Sequence, residues 1–288
     1  MRDLADIGVI KDILAHHGFS LSKALGQNFL IDPDVCPEMS KICGAGKETG
    51  VLEIGPGIGI LTAELAKRAG KVVSVELDKR LMPVLAETLA EFDNVEIINA
   101  DILKLDIKKL IEEKFGGMQV VVCANLPYYI TSPVIMLLLE SKIPVKSITV
   151  MVQKEAAERL CATVGERQAG AVTVAVDYYS RAKNMFEVSR HSFMPAPKVD
   201  SCVIRFDIRP EPPVSVENEA GFFRMVKAAF GQRRKTAANS ISAGTGIPKE
   251  QVSAAIERAG FNPNARAESM NMEELAKLFN ELENRERL

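Results

Sequence analysis

Two short segments of this 288-residue chain carry residue types at spacings that chemistry can use. The first is Glu53-Ile-Gly55-Pro-Gly57-Ile-Gly59, which follows an apolar run and opens a helical pattern. Glycines there permit a tight turn and let backbone N–H groups approach a ligand at a helix N-terminus. A pyrophosphate-binding turn requires G-x-G-x-x-G, whereas the spacing here is G-x-G-x-G. An acidic residue at the strand end followed by such a turn suits a ligand without phosphates, and S-adenosylmethionine is one. Its amino-acid portion and sulfonium lie where a pyrophosphate would otherwise sit, against Gly55 and Gly57. Glu76 closes the next strand 21 positions after Gly55, where a carboxylate can hold both ribose hydroxyls. Asp101, at the end of the third strand, is placed to accept from the cofactor's adenine amine. A nicotinamide dinucleotide, and with it an oxidoreductase, is the alternative that the glycine spacing disfavours.

The second segment is Asn125-Leu126-Pro127-Tyr128, which follows a fourth strand and so falls at the carboxyl edge of the same sheet. An adenine amine is a poor nucleophile because its lone pair is delocalised into the ring. Acceptors for both amine hydrogens rehybridise the nitrogen and aim that lone pair. The side-chain oxygen of Asn125 and the backbone carbonyl of Leu126 or Pro127 are candidates. No strong general base is needed, because the proton can leave after methyl transfer. Reaching such a pocket takes a base out of its stack at a cost of a few kcal/mol. Stacking on an aromatic ring returns about 1 to 3 kcal/mol, so Tyr128 is a candidate platform, and Phe193 in the loop HSFMPAPKV a candidate for the opposite face.

The elements that must position these residues are legible as alternating strands and helices from residue 51 onward. Strands are expected at 51–55, 71–78, 95–99, 119–125 and 146–152, and helices at 58–70, 79–92 and 132–141. Continuous β-branched strands between helices imply a parallel sheet covered on both faces. Segments 183–188 and 200–208 read as two further strands closing the sheet as a hairpin-like edge, around a loop whose prolines forbid regular structure. The fold class is therefore α/β, a Rossmann-like core with a mixed, mostly parallel seven-stranded sheet and a small all-helical C-terminal domain. An amphipathic helix over Leu4, Ile7, Ile10, Ile13 and Leu14 precedes it, followed by a polar loop leading into a short helix. Residues 209–217, RPEPPVSVE, are the expected linker, dividing a domain at 1–208 from one at 209–288. Helices are expected there at 222–230, 233–242, 249–259 and 272–286.

Composition supports a soluble globular protein, with 47% hydrophobic and 26% charged residues. No apolar run approaches the roughly 18 residues that span a bilayer, and the N-terminus does not read as a signal peptide, so a cytoplasmic location is expected. The five cysteines, Cys36, Cys43, Cys123, Cys161 and Cys202, show no C-x-x-C spacing and read as reduced core residues. His16, His17 and His191 lack metal-ligand spacing, and no metal is expected. The net charge of -2 speaks against a nucleic-acid partner, but its distribution does not. Residues 181–235 hold eleven Lys or Arg, Lys227 among them, against six Asp or Glu.

Seven motifs together resemble the ribosomal RNA adenine dimethyltransferases of the KsgA type. They are LGQNFL (25–30), EIGPGIGILT (53–62), VELD (75–78), NLPYYI (125–130), MVQKE (151–155), FMPAPKVDS (193–201) and AAFGQRRKT (228–236). The resemblance covers nearly the whole chain and implies transfer of two methyls to each of two adjacent adenines near the 3′ end of small-subunit ribosomal RNA, within an assembling subunit. It implies cofactor contacts at Asn28, Leu30, Gly55, Glu76, Asp101 and Asn125; spacing alone does not reveal Asn28 and Leu30. It also implies RNA contacts from the basic segment with Arg233, Arg234 and Lys235. The acidic-leaning tail NELENRERL reads as a solvated helix and adds nothing to that surface. Two relatives in function stay open: the enzyme that dimethylates one adenine of large-subunit RNA, and an assembly factor acting mainly by binding. A monomer is expected.

Overall fold

The computed structural model describes residues 4–20 and 26–286, with side chains through Glu283. Residues 1–3, Leu25 of the first motif, and Arg287 and Leu288 of the tail lie outside the described residues. Contacts divide the chain into two compact units, residues 1–157 with 182–208, and residues 158–181 with 209–288.

The first unit is built on a sheet of seven strands: β2 (Thr49–Ile54), β3 (Lys71–Glu76), β4 (Val95–Asn99), β5 (Gln119–Asn125), β6 (Val145–Gln153), β7 (Ser180–Val188) and β9 (Ser201–Ile208). Their order is β4-β3-β2-β5-β6-β9-β7. Pairs from β4 to β6 are parallel and β9 runs antiparallel to β6. The expected mixed, mostly parallel sheet is thus present, with β9 inserted between β6 and the edge strand β7. Val51, Leu52, Val72, Val73 and Val122 are fully buried, as strands covered on both faces require. The covering helices are α2 (Val35–Ile42), α3 (Ile60–Arg68), α4 (Met82–Thr88), α5 (Ile107–Phe115) and α6 (Thr131–Glu140). The helix α1 (Ile7–His16) is capped by Asp6, whose carboxylate accepts from Val9 N at 2.9 Å. It packs Ile10, Ile13 and Leu14 in one buried cluster with Val84, Leu85 and Leu89 of α4 and its exit, while Ile7 stays 40% exposed.

Several local expectations are corrected. The helix expected at 79–92 is a 3-10 turn over Lys79–Leu81 followed by the shorter α4, with Pro83 in its first turn. Helix α5 was not anticipated; Asp106 caps it through Lys109 N, and Gly116, at φ 56, ends it. The proline-bracketed loop does hold regular structure: Phe193–Met194 form β8, which pairs antiparallel with β1 (Phe29–Leu30). That strand stops before Pro195, so no ladder bond is demanded of a proline nitrogen.

The second unit contains α8 (Ala171–Tyr179), α9 (Glu219–Ala229), α10 (Ala237–Thr245), α11 (Lys249–Arg258) and α12 (Met272–Glu286), while α7 (Lys154–Leu160) crosses the division. Residues 158–181 join it because α8 ends in Tyr178 and Tyr179, whose rings pack on Phe222 and Phe223 of α9 at 5.9 and 5.4 Å. Arg209 secures the return of the chain by pairing with Asp177 at 2.8 Å. The helix expected from 233 starts only at Ala237, after Thr236 caps it, which leaves 233–235 in a turn. Of the five cysteines, Cys161 is the one that is not buried. Among the described residues no helix is long and apolar enough to cross a membrane.

Candidate active site

The carboxyl ends of β2, β3 and β5 meet at one edge of the sheet, because Ile54 lies opposite both Val75 and Ala124. From Ile54 the chain turns through Gly55 and Gly57, at φ 71 and 60, into α3. Gly57 holds a side chain only under strain: its φ is 60, and a Cβ there would sit 3.3 Å from the Phe29 ring. Gly55 N donates to Val75 O at 3.0 Å, and Gly57 N donates to Glu76 Oε2 at 3.4 Å, which fixes the turn beside the end of β3. Glu76 Oε1 accepts from Asp78 N at 2.8 Å. Burial pushes the Glu76 carboxyl above the usual carboxylate range, against the opposing pull of those backbone donors.

Glu53 sits beneath the turn, 1% exposed. Its Oε2 accepts from Thr62 of α3 at 2.7 Å and from Ser74 of β3 at 2.6 Å, stapling three elements together, while Oε1 has no partner. Burial, only partly offset by the two hydroxyls, pushes its carboxyl up to about 7. Glu53 is therefore a post under the site and not part of its wall.

Above the turn opens a cavity of about 240 Å³. It is lined by Asn28, Leu30, Gly55, Gly57, Glu76, Asp101, Asn125, Leu126, Pro127, Tyr128 and Phe193, whereas Glu53, the acid that opens the glycine motif, lies outside the lining. Ile54, Ile58, Leu81 and Ile102 supply apolar wall between Glu76 and Asp101. Asp101 Oδ1 accepts from Leu103 N at 3.1 Å, which holds the carboxylate at the start of a 3-10 turn.

Asn28 and Leu30 arrive through the ribbon that sequence spacing could not show. Leu30 pairs with Phe193, Ile31 N donates to Ser192 O at 2.8 Å, and Ser192 Oγ donates to Asp32 Oδ2 at 2.8 Å. Gln27 Nε2 reaches Asp78 Oδ2 at 3.0 Å and ties the same segment to the end of β3. Phe193 is 4% exposed and belongs to the core around Met39 and Leu61, so it supports the cavity wall as it lines it. The aromatic ring at the surface of the cavity is Tyr129, 53% exposed, which the sequence reading missed.

Asn125 is the last residue of β5, and among the described residues its side-chain amide bonds to no protein group. Pro127 O already accepts from Ile130 N at 3.1 Å and Thr131 Oγ1 at 3.3 Å. Leu126 O takes no such bond among the described residues. Of the two carbonyls open as acceptors from sequence alone, the free one is therefore that of Leu126. Tyr128 is half-buried and its hydroxyl lies 2.8 Å from Ser201 Oγ, which locks the ring; burial pushes its phenol up. The basic candidates Lys227, Arg233, Arg234 and Lys235 are exposed and lie in the helical unit, on α9 and in the turn before α10. Arg233 is engaged there, donating to Arg167 O at 2.7 Å, with Glu268 at 3.8 Å.

The donor set fits S-adenosylmethionine on the structure's own terms: two cavity carboxylates at successive strand ends, a glycine turn that a Cβ would obstruct, and an unspent amide at Asn125. Comparison with known proteins agrees. Residues 18–284 match the family described as ribosomal RNA adenine dimethylase. The ribosomal RNA small subunit methyltransferase A of Geobacillus thermodenitrificans is 47% identical over 98% of this chain and 97% of its own. That of Bacillus mycoides is 46% identical over 98% of each. Among solved structures, the 23S rRNA methyltransferase ErmE superposes with a TM-score of 0.67 at 29% identity, covering 88% of this chain and 99% of that one. A dimethyladenosine transferase from Plasmodium falciparum gives a TM-score of 0.72 at 23% identity over 90% and 98%, a likeness of fold. The match of family and of full-length relatives, on a chain whose motif residues converge on one cavity, leaves one conclusion: this chain belongs to the ribosomal RNA adenine dimethylases, which use S-adenosylmethionine.

Proposed function

We propose that the chain methylates the exocyclic amines of two adjacent adenines near the 3′ end of small-subunit (16S) ribosomal RNA, inside an assembling small subunit, releasing S-adenosylhomocysteine. The observation that carries this is the pair of unspent acceptors, Asn125 Oδ1 and Leu126 O, at the end of β5 beside the glycine turn. When bound, S-adenosylmethionine supplies an electrophilic methyl group on a sulfonium. Asn125 and Leu126 accept the two amine hydrogens and turn the nitrogen lone pair toward that methyl. Tyr128 offers a ring face to the extruded base, held in place by Ser201. Glu76 would hold the ribose hydroxyls, Asp101 the cofactor's adenine amine and Gly55 and Gly57 its amino-acid end, with Asn28 and Leu30 as further contacts. Among the described residues the carboxylates lining the cavity are Glu76 and Asp101, each accepting from backbone N–H groups. The reaction then relies on positioning and polarity.

The RNA contacts fall to Lys227, Arg233, Arg234 and Lys235 of the helical unit, where residues 209–288 are joined by 158–181. The proposed enzyme acts as a monomer in the cytoplasm. Relatives at 46–47% identity favour the small subunit as substrate over large-subunit RNA. The test is mass spectrometry of adenines after incubating the enzyme and S-adenosylmethionine with undermethylated small subunits. Dimethyladenosine at two neighbouring positions is expected, and Asn125→Ala should abolish it while subunit binding persists. Methylation of free large-subunit RNA alone would overturn the assignment.

A further inference from the structure

We propose that His16, His17 and Glu87 form a binding site for a divalent transition-metal ion of the zinc class. One ligand atom from each lies within 4.8 Å of the others. His17 Nε2 and Glu87 Oε2 are 2.8 Å apart, and the His16 and His17 rings meet edge to face with centroids at 5.1 Å. Zinc bonds of roughly 2.0 to 2.2 Å in tetrahedral geometry place ligand atoms about 3.3 Å apart. His17 and Glu87 stand slightly closer than that spacing, and no pair of ligand atoms exceeds it by more than about 1.5 Å, so small side-chain adjustments suffice to hold an ion. Two imidazoles and one carboxylate select zinc and its neighbours over calcium or magnesium, which take oxygen ligands. The His17 and Glu87 side chains are 18% and 33% exposed, which leaves room for a water in the fourth position.

Two further features favour a cation there. His16 ends α1 and His17 caps it, while Glu87 stands one residue before the end of α4. Both helices thus bring their negative ends to the cluster. Their backbones are also held in advance, because Ile10, Ile13 and Leu14 of α1 pack in the same buried cluster as Val84 and Leu85 of α4. Sequence spacing conceals the site, since Glu87 is 70 residues from His17. An ion would fasten α1 to α4. The chain beyond α1 places Phe19 under the Arg80 guanidinium, 5.0 Å from the ring centre, and then supplies Gln27 and Asn28 at the cavity.

The site is tested by titrating Zn²⁺ into the metal-free full-length chain by calorimetry and by thermal melting. One ion per chain and a raised Tm are expected. His16→Ala and Glu87→Gln should each weaken binding at least about tenfold; glutamine keeps an oxygen for His17, which separates loss of charge from loss of the contact. Cys161→Ser, removing the one cysteine that is not buried, should bind as before. Co²⁺ should give visible d–d bands without a thiolate charge-transfer band. Absence of binding, binding unchanged in the His16 and Glu87 variants as for a plain ion pair, or a thiolate band would each overturn the proposal.

Discussion

Replacing Glu53 with glutamine isolates the electrostatic cost built in beneath the glycine turn. The carboxyl is buried, and burial pushes it from 4.5 up to about 7. Because the folded value is raised, the folded protein retains a proton that the unfolded chain has already released. This contribution to stability is fully present below pH 4.5 and is lost as the pH climbs through 7. At about 1.4 kcal/mol per pH unit the complete loss is about 3 kcal/mol, of which roughly 2 to 3 kcal/mol falls between pH 5 and pH 8. Glu76 shifts in the same direction and its charge contributes to raising Glu53, so the difference between the two proteins reports Glu53 together with its repulsion by Glu76. Glutamine can accept from Thr62 and Ser74 with one oxygen and places its amide nitrogen where Oε1 already lacks a partner. At pH 5 the variant should be less stable by about 1 to 3 kcal/mol for that buried amide. Urea unfolding at intervals from pH 5 to 8.5 should then show the stability difference moving in the variant's favour by roughly 2 to 3 kcal/mol. Parallel curves across that range would mean that Glu53 is ionised in the folded protein throughout, and the account of the buried post would fail.

Other perturbations separate the parts of the site. Gly57→Ala puts a methyl 3.3 Å from the Phe29 ring at a φ of 60, and should weaken S-adenosylhomocysteine binding about tenfold or more by calorimetry, at a strain of about 1 to 2 kcal/mol. Tyr128→Phe keeps the ring and loses only the bond to Ser201, so kcat/KM with labelled cofactor should fall less than about tenfold, whereas Tyr128→Ala should cost about 1 to 3 kcal/mol of base stacking. Arg234→Ala and Lys235→Ala should each lower the log–log salt slope of ribosomal RNA binding by about 1. Arg233→Ala should do less, since that side chain is spent on Arg167 O and Glu268.

What the sequence disclosed follows from how local each signal is. Strands β4 and β5 fall at the residues expected, 95–99 and 119–125, because β-branched runs there are bounded by turn-forming neighbours. Glu76 and Asn125 were legible for the same reason: each is the last residue of a strand, and a parallel sheet collects such ends on one edge. Helix α4 and the start of α10 were less legible, since 3-10 turns and caps decide them within a residue or two. The grouping of 158–181 with the helical unit rests on ring contacts of Tyr178 and Tyr179 with α9 that leave no periodic trace. Pairing of β1 with β8 involves two residues per strand across some 160 positions, too little ladder for any pattern to announce.

That short ribbon explains why spacing did not single out Asn28 and Leu30, which line the cavity and which the family resemblance implies as cofactor contacts. A residue at a strand end is placed by the sheet, whose register runs through many buried pairs and tolerates little variation. A residue at Leu30 is placed by Phe193, and Phe193 by the core around Met39 and Leu61. Asn28 in turn depends on Gln27 reaching Asp78, itself held by Arg80 at 2.6 Å, which keeps the Asp78 carboxyl below its usual range. The Gln27–Leu30 side of the cavity therefore rests on a short two-residue ribbon and a few side-chain contacts, whereas the Asn125 side is fixed by the sheet. Of the two, the segment 27–30 is the one whose position a bound ligand, or an ion at the end of α1, has the most leverage to change.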